Sequence, residues 1–223
     1  MKNERGKRSL ANAFLLAFLA TASSFAAGDN RFESWQQFSV SQNLDYNLTA
    51  IIEGENRLAL RPQAWVHTEI DPQLTWRYSP RYDFTAGIEC SATKVLGVPQ
   101  SIGYQPFLET RIKAHAGRWD FQSRQRFQMG TDDGAYVAMF RQLTRLQYRL
   151  QGFNDRLSLY IADEWFINLL SGQINENRAF IGTSYALNKA VNLELFGLFQ
   201  SLSNLGGVSG NIPAIGCKVL FTF

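Results

Sequence analysis

The chain is poor in the residues that most often carry chemistry. Of its 223 residues two are cysteine, Cys90 and Cys217, and two are histidine, His67 and His115. No His or Cys cluster has the spacing of a metal site. No P-loop or dinucleotide-binding glycine fingerprint is present either, so no cofactor is expected. Beyond residue 26 no apolar run approaches the roughly 20 residues a membrane helix needs. An excess of one charge is lacking as well. The chain carries 22 basic and 19 acidic residues, but Lys2, Arg5, Lys7, Arg8 and Glu4 fall in the first 26, leaving 18 of each sign beyond them. That balance removes compositional support for a nucleic-acid partner.

The N-terminus has the form of an export signal. A basic head precedes the apolar run Leu10 to Ala20, and Ser24-Phe25-Ala26 offers the small-x-small pattern of a cleavage site. Residues 1–26 are expected to be a cleaved signal peptide and 27–223 a single domain. In an exported protein two cysteines invite a disulfide. Here both fall among outward apolar positions of strands far apart in order, so free thiols are expected.

Alternation and aromatics are abundant: 17 Phe, 8 Tyr and 5 Trp, spread over many short two-residue-period runs. In the last stretch Ile215, Cys217, Val219, Phe221 and Phe223 share one face, against Gly216, Lys218 and Thr222 on the other. A bare apolar terminal strand is an aggregation hazard unless its edge is paired. An exported chain without long apolar helices can satisfy its backbone in lipid only as a closed barrel. The expectation is an all-β, antiparallel up-and-down transmembrane barrel in the outer membrane of a Gram-negative bacterium, in contact with outer-membrane lipid. The ending resembles the C-terminal signal of such barrels. That resemblance implies that Cys217, Val219, Phe221 and Phe223 are read by the barrel-assembly machinery.

Eleven alternating runs can be traced. With both termini at the periplasmic rim an up-and-down barrel needs an even count, so twelve strands are expected, with ten as the alternative. The proline-bracketed segment from Arg61 to Asp71 has no clear place. Residues 92–105 and 130–135 read as loops. Connections near Asp45, Pro80, Gly117, Asn154 and Lys189 look short, and those near 60, 98, 132, 171 and 207 look long, as periplasmic turns and outer loops should. Aromatics gather on the short side at Tyr46, Tyr78, Tyr82, Trp119, Tyr148, Phe153, Tyr185, Phe221 and Phe223. In the run from Trp119, Ser123 and Gln125 are out of keeping with a lipid-facing surface.

From Arg141 onward the chain resembles the domain-of-unknown-function 2490 family of Gram-negative outer-membrane barrels. The resemblance is carried by R-L-Q-Y-R at Arg145–Arg149, D-E-W-F-I-N at Asp163–Asn168, N-E-N-R-A-F-I-G at Asn175–Gly182 and the hairpin ending in Phe199-Gln200. It implies fold and compartment, and no activity.

Alternation assigns Arg57, Arg77, Arg111, Lys113, Arg124, Arg126, Arg141, Arg145, Arg149, Arg178 and Lys218 to the lumen, against Glu53, Glu55, Glu89, Glu109, Glu164 and Glu194. These are eleven positive and six negative charges. Two readings stay open. The surplus lines a narrow channel for small hydrophilic, preferentially anionic solutes, or the charges pair into a closed network inside a structural barrel. An enzyme acting on outer-leaflet lipid is the third alternative. It would rely on His67, near Thr68, Glu69 and Asp71, since His115 lies by a short turn at the wrong end. The sequence sets no oligomeric state.

Overall fold

The computed structural model describes residues 32–59, 65–95, 97–150, 152, 156–203 and 210–223. Residues 1–26, expected to form the signal peptide, lie outside them, as does Phe153 of the expected aromatic set. Eleven strands close into one barrel: β1 Glu33–Asn43, β2 Leu48–Ala59, β3 Trp65–Ser79, β4 Tyr82–Val95, β5 Ser101–Ala116, β6 Trp119–Asp132, β7 Ala135–Arg149, β8 Leu157–Asn168, β9 Gln173–Ala186, β10 Val191–Leu202 and β11 Gly210–Thr222. Neighbours in sequence pair antiparallel, and the barrel is sealed by a parallel pairing of β1 with β11, from Glu33 opposite Ala214 to Ser41 opposite Thr222. No described helix is long and apolar enough to cross a membrane.

The expectation of twelve strands, and its alternative of ten, is corrected to eleven. The even-number rule assumes that first and last strands pair antiparallel. Parallel closure lifts that requirement and places Glu33 at the opposite end of the barrel from Phe223. Residues 61–64 lie outside the described residues, and from Trp65 on the segment without a clear place is the first half of β3. Its register against β2 continues through Ile52 opposite Pro72, while the ladder to β4 lapses at Asp71 and Pro72 and resumes at Gln73 opposite Gly87. Proline removes one donor without ending the strand, because the other neighbour holds the line.

The expected long loops also shrink. β4 and β5 leave only 96–100 between them, and β6 turns into β7 through Asp133 and Gly134, both at positive φ. Connections at the Phe223 end (44–47, 80–81, 117–118, 150–156, 187–190) are about as long as those at the Glu33 end (60–64, 96–100, 133–134, 169–172, 203–209). The short-and-long contrast expected between the ends is therefore absent.

Period-two alternation sorts the side chains. Large apolar groups stand exposed on the outside, among them Ile52, Leu74, Trp76, Phe84, Leu108, Phe127, Ile161 and Ile181. At the Phe223 end Tyr46, Tyr78, Tyr82, Trp119 and Tyr185 are exposed, and Trp119 packs on Tyr148 with ring centroids 4.7 Å apart. Cys90 on β4 and Cys217 on β11 are free thiols.

Inside, aromatic rings lie flat across glycines on the next strand. Phe196 is opposite Gly216, where an added Cβ would come within 2.3 Å of the ring. Gly87 opposite Phe107 and Gly182 opposite Tyr160 repeat the device. These cross-strand pairs help fix the register that sends the paired arginines and carboxylates inward.

Candidate functional site in the barrel interior

The interior is occupied by side chains that reach across it. Arg126 on β6 is almost fully buried. Its Nε donates to Glu109 Oε2 on β5 at 2.9 Å and its Nη1 to Asp71 Oδ2 on β3 at 3.2 Å. Arg141 on β7 donates to Glu89 on β4 at 3.0 Å and to Glu164 on β8 at 3.1 Å. Glu164 also accepts from Arg124 and lies 3.8 Å from Arg178 on β9. Arg145 grips Glu194 on β10 with both terminal nitrogens, at 2.8 and 3.1 Å. Lys218 on β11 reaches Glu53 on β2 at 3.2 Å, past the intervening β1. Pairs between strands that are not neighbours form only through the interior of a closed barrel.

Five of the inward guanidiniums also have an aromatic ring beneath them. Arg126 sits 3.9 Å from the Phe107 centroid, Arg145 3.7 Å from Tyr160 and Arg141 4.6 Å from Phe166. Arg178 covers Phe166 at 4.2 Å, and Arg57 covers Trp35 at the same distance. Guanidinium is weakly hydrated and planar, so it tolerates burial between a ring and a carboxylate better than ammonium does.

The remaining cations singled out in the sequence have their partners on their own or an adjacent strand, or stand at the rim. Arg57 pairs with Glu55 and lies 3.7 Å from Glu69, while Arg111 donates to Glu109 at 2.8 Å. Lys113 donates to Asp83 at 2.7 Å. Arg149 joins Asp120 at the Phe223 end, half exposed, and Arg77 stands exposed at that rim. Cys217 and Val219 are outward and half-buried, Phe221 follows them, and Phe223 is exposed past the end of β11.

Sequence reasoning missed six inward acids: Glu33, Glu69, Asp71, Asp83, Asp120 and Glu176. Glu69 and Asp71 lay in the unplaced first half of β3. Glu33, Asp83, Asp120 and Glu176 sit at strand ends, where alternation has the fewest residues to show itself. Among the described residues they raise the inward carboxylates to about the number of inward cations, so the expected surplus of positive charge is corrected to near balance. The inward aromatics Trp35, Phe107, Phe166, Phe180 and Phe196 were missed too. In a barrel an apolar residue suits either face, and hydrophobicity alone does not say which.

At the centre lies a cavity of about 150 Å³. It is lined by Arg124, Arg126, Arg141, Arg145, Arg178 and Lys218 on one side of the charge ledger and by Glu53, Glu55, Glu69, Asp71, Glu164 and Glu194 on the other. Such a space holds a few waters. Glu69, Asp71 and Glu89 bring carboxylate oxygens within 4.8 Å of one another, the arrangement of a cation site. Arg126 and Arg141 already contact that group, at 3.2 Å from Asp71 and 3.0 Å from Glu89, and they supply the positive charge a metal would bring.

His67 hydrogen-bonds Thr93 Oγ1 through Nδ1 at 2.8 Å, and its Nε2 lies 3.5 Å from Glu69. Thr68, its neighbour in sequence, is on the other face and accompanies Asn56. His115 is at the Phe223 end, 2.8 Å from Asp120.

No curated protein matches the chain. Among solved structures it is similar to the NanC porin in a rhombohedral crystal form, at 10% identity over 86% of this chain and 99% of that one, with a TM-score of 0.51. It is also similar to the KdgM porin in complex with disordered oligogalacturonate, at 11% identity over 78% and 91% of the two chains and a TM-score of 0.48. An anion-selective porin from Comamonas acidovorans matches at 11% identity over 77% and 56%, with a TM-score of 0.38. At such identities the likeness to the NanC porin is one of fold. The family is fixed by sequence: the profile described as protein of unknown function DUF2490 matches residues 32–211, and the chain belongs to that family.

Proposed function

We propose that this protein is an outer-membrane barrel of a Gram-negative bacterium that acts as a narrow channel for small hydrophilic solutes. The observation that carries the reading is a charge-lined cavity with room for a few waters, inside a closed barrel whose outer surface is largely apolar. The fold shared with the NanC porin agrees with it. An apolar exterior around a polar interior suits hydrocarbon outside and water within. In this reading Phe223 and its aromatic neighbours mark the periplasmic rim, and the outward face of β11, with Cys217, Val219 and Phe221, is offered to the barrel-assembly machinery.

A preference for anions rested on a surplus of arginine that the six additional acids cancel. With six charges of each sign around the cavity, discrimination by sign is expected to be weak. Catalysis on lipid has little support: His67 and Thr93 lie on the inward faces of β3 and β4, turned away from the lipid such an enzyme would attack.

A second reading, a structural barrel closed by its own ion pairs, is favoured by the bridges that cross the interior from β6 to β3 and from β7 to β4. Planar-bilayer recording of refolded protein separates the two. The channel reading expects small, weakly selective steps that grow in Arg141→Ala. Silence in the wild type, with steps appearing only in Arg141→Ala, establishes the closed barrel.

A further inference from the structure

The outer surface carries a polar island on β6, β7 and β8, larger than the Gln36, Asn56 and Thr68 row on β1 to β3, that neither a channel nor a plugged barrel explains. Near the middle of β6, β7 and β8 the outward residues are polar: Ser123 and Gln125, then Gln142 and Thr144, then Asp163. They stand side by side, with Ser123 opposite Thr144, Gln125 opposite Gln142 and Thr144 opposite Asp163. Gln142 and Gln125 both donate to Ser123 Oγ, at 2.9 and 2.7 Å, and Asn177 on β9 donates to Asp163 at 2.7 Å. Trp165 also donates its indole N–H to Asp163.

Apolar rows enclose this island above and below. Toward the Phe223 end run Phe121, Leu146, Ile161 and Ile181, and toward the Glu33 end Phe127, Phe140 and Ile167. The patch thus spans three strand spacings, about 14 Å, at a depth where both flanks suit hydrocarbon. A carboxylate and three amides facing acyl chains at that depth are costly, and lipid offers them no hydrogen bond.

We propose that the island is the contact surface of a homodimer, a conclusion that rests on the membrane reading above. The occupant is a second copy because the chemistry is self-complementary. Amides and hydroxyls carry donors and acceptors together, and a two-fold axis along the membrane normal beside β7 sets each barrel against the same surface of its twin. Gln142 then lies beside its own copy. Asp163 falls opposite Ser123 and Gln125 of the second copy, which have N–H and O–H groups to offer, and the two Asp163 carboxylates stay apart. The flanking Phe and Ile rows supply the apolar contact that accompanies such a polar centre.

Sedimentation or light scattering of detergent-extracted protein tests this. The wild type is expected to carry the mass of two chains, and Gln142→Leu with Asp163→Leu the mass of one, while keeping the strand signal in circular dichroism. Asn56→Leu, on the outward face of β2 across the barrel, is expected to leave two chains together. A membrane-bound wild type with the mass of one chain overturns the dimer, as does a doubly substituted protein as dimeric as the wild type, or a different polypeptide held at the patch. Recovery of the protein in a detergent-free periplasmic extract removes the membrane reading itself and is distinguished by that from failure of the dimer alone.

Discussion

The interior has two walls built on different physics from the same alternating pattern. On β3 to β7 the inward positions hold Asp71, Glu89, Glu109, Arg126 and Arg141, tied by hydrogen bonds across the barrel. On β8, β10, β11 and β1 they hold Tyr160, Phe196, Leu198, Ala214 and Trp35, packed as a small core with Ala162 and Phe180 against it. The apolar wall packs that side and borders the central cavity, together with Glu164, Glu194 and Lys218. The charged wall is where water and a solute find polar partners. Arginine joins the two, since Arg57 and Arg178 stack on Trp35 while their nitrogens face carboxylates. The contrast shows how the side chains of eleven strands fill a barrel interior: one part by packing, one part by pairing.

The largest effects are expected where a wall loses its central member. Arg126→Ala leaves Asp71 and Glu109 buried without their shared cation, and a loss of about 3–5 kcal/mol in urea unfolding is expected. Trp35→Ala opens a void in the other wall, with a loss of similar size, about 3–5 kcal/mol. The two walls differ in what rescues them. Adding Asp71→Asn to Arg126→Ala is expected to restore part of the stability, because it removes a stranded charge, whereas Asp71→Asn does nothing for Trp35→Ala. Equal rescue of both would dissolve the distinction between the walls.

How far the sequence discloses these walls follows from what alternation encodes. Period two assigns Arg124, Arg126, Arg141 and Arg145 to one face of their strands, because a charge has only one tolerable side when the other meets lipid. It is silent about Trp35 and Phe196, which are at ease on either side. It fails at Asp71, where Pro72 imitates a break in a strand that β2 holds together. Strand number is decided by how β1 meets β11, a long-range pairing that leaves no local pattern. The island at Ser123 and Gln125 is visible in one strand as an irregularity. Only the registers of β7 and β8 join it to Gln142 and Asp163.

A middle-sized effect tests the packed wall alone. In Gly216→Ala the new methyl meets the Phe196 ring at 2.3 Å, with the Trp35 carbonyl at 2.9 Å behind it. Neither neighbour has room to withdraw, since Phe196 and Trp35 are both buried. Overpacking of this kind costs about 1–3 kcal/mol. The unfolding midpoint should fall while the conductance attributed to the charged wall stays as it was. A change in conductance without loss of stability would mean that the packed wall, and not the charged one, limits the path.

The smallest effect is expected at the rim, where the charged wall meets bulk water. Arg149 donates to Asp120 through Nε at 2.9 Å and through Nη2 at 2.8 Å, a two-pronged grip like the one Arg145 makes on Glu194 with its two terminal nitrogens. The Arg149 side chain is 40% exposed against 20% for Arg145, so solvent screens the outer pair more strongly. Arg149→Ala is therefore expected to lower stability by less than about 1 kcal/mol, an amount that shrinks further in high salt. Arg145→Ala strands Glu194 beside Tyr160 and is expected to cost several times more at every salt concentration. If the two substitutions prove equally mild, burial is not what gives the inner pairs their hold, and the charged wall is a wetted surface along its whole length.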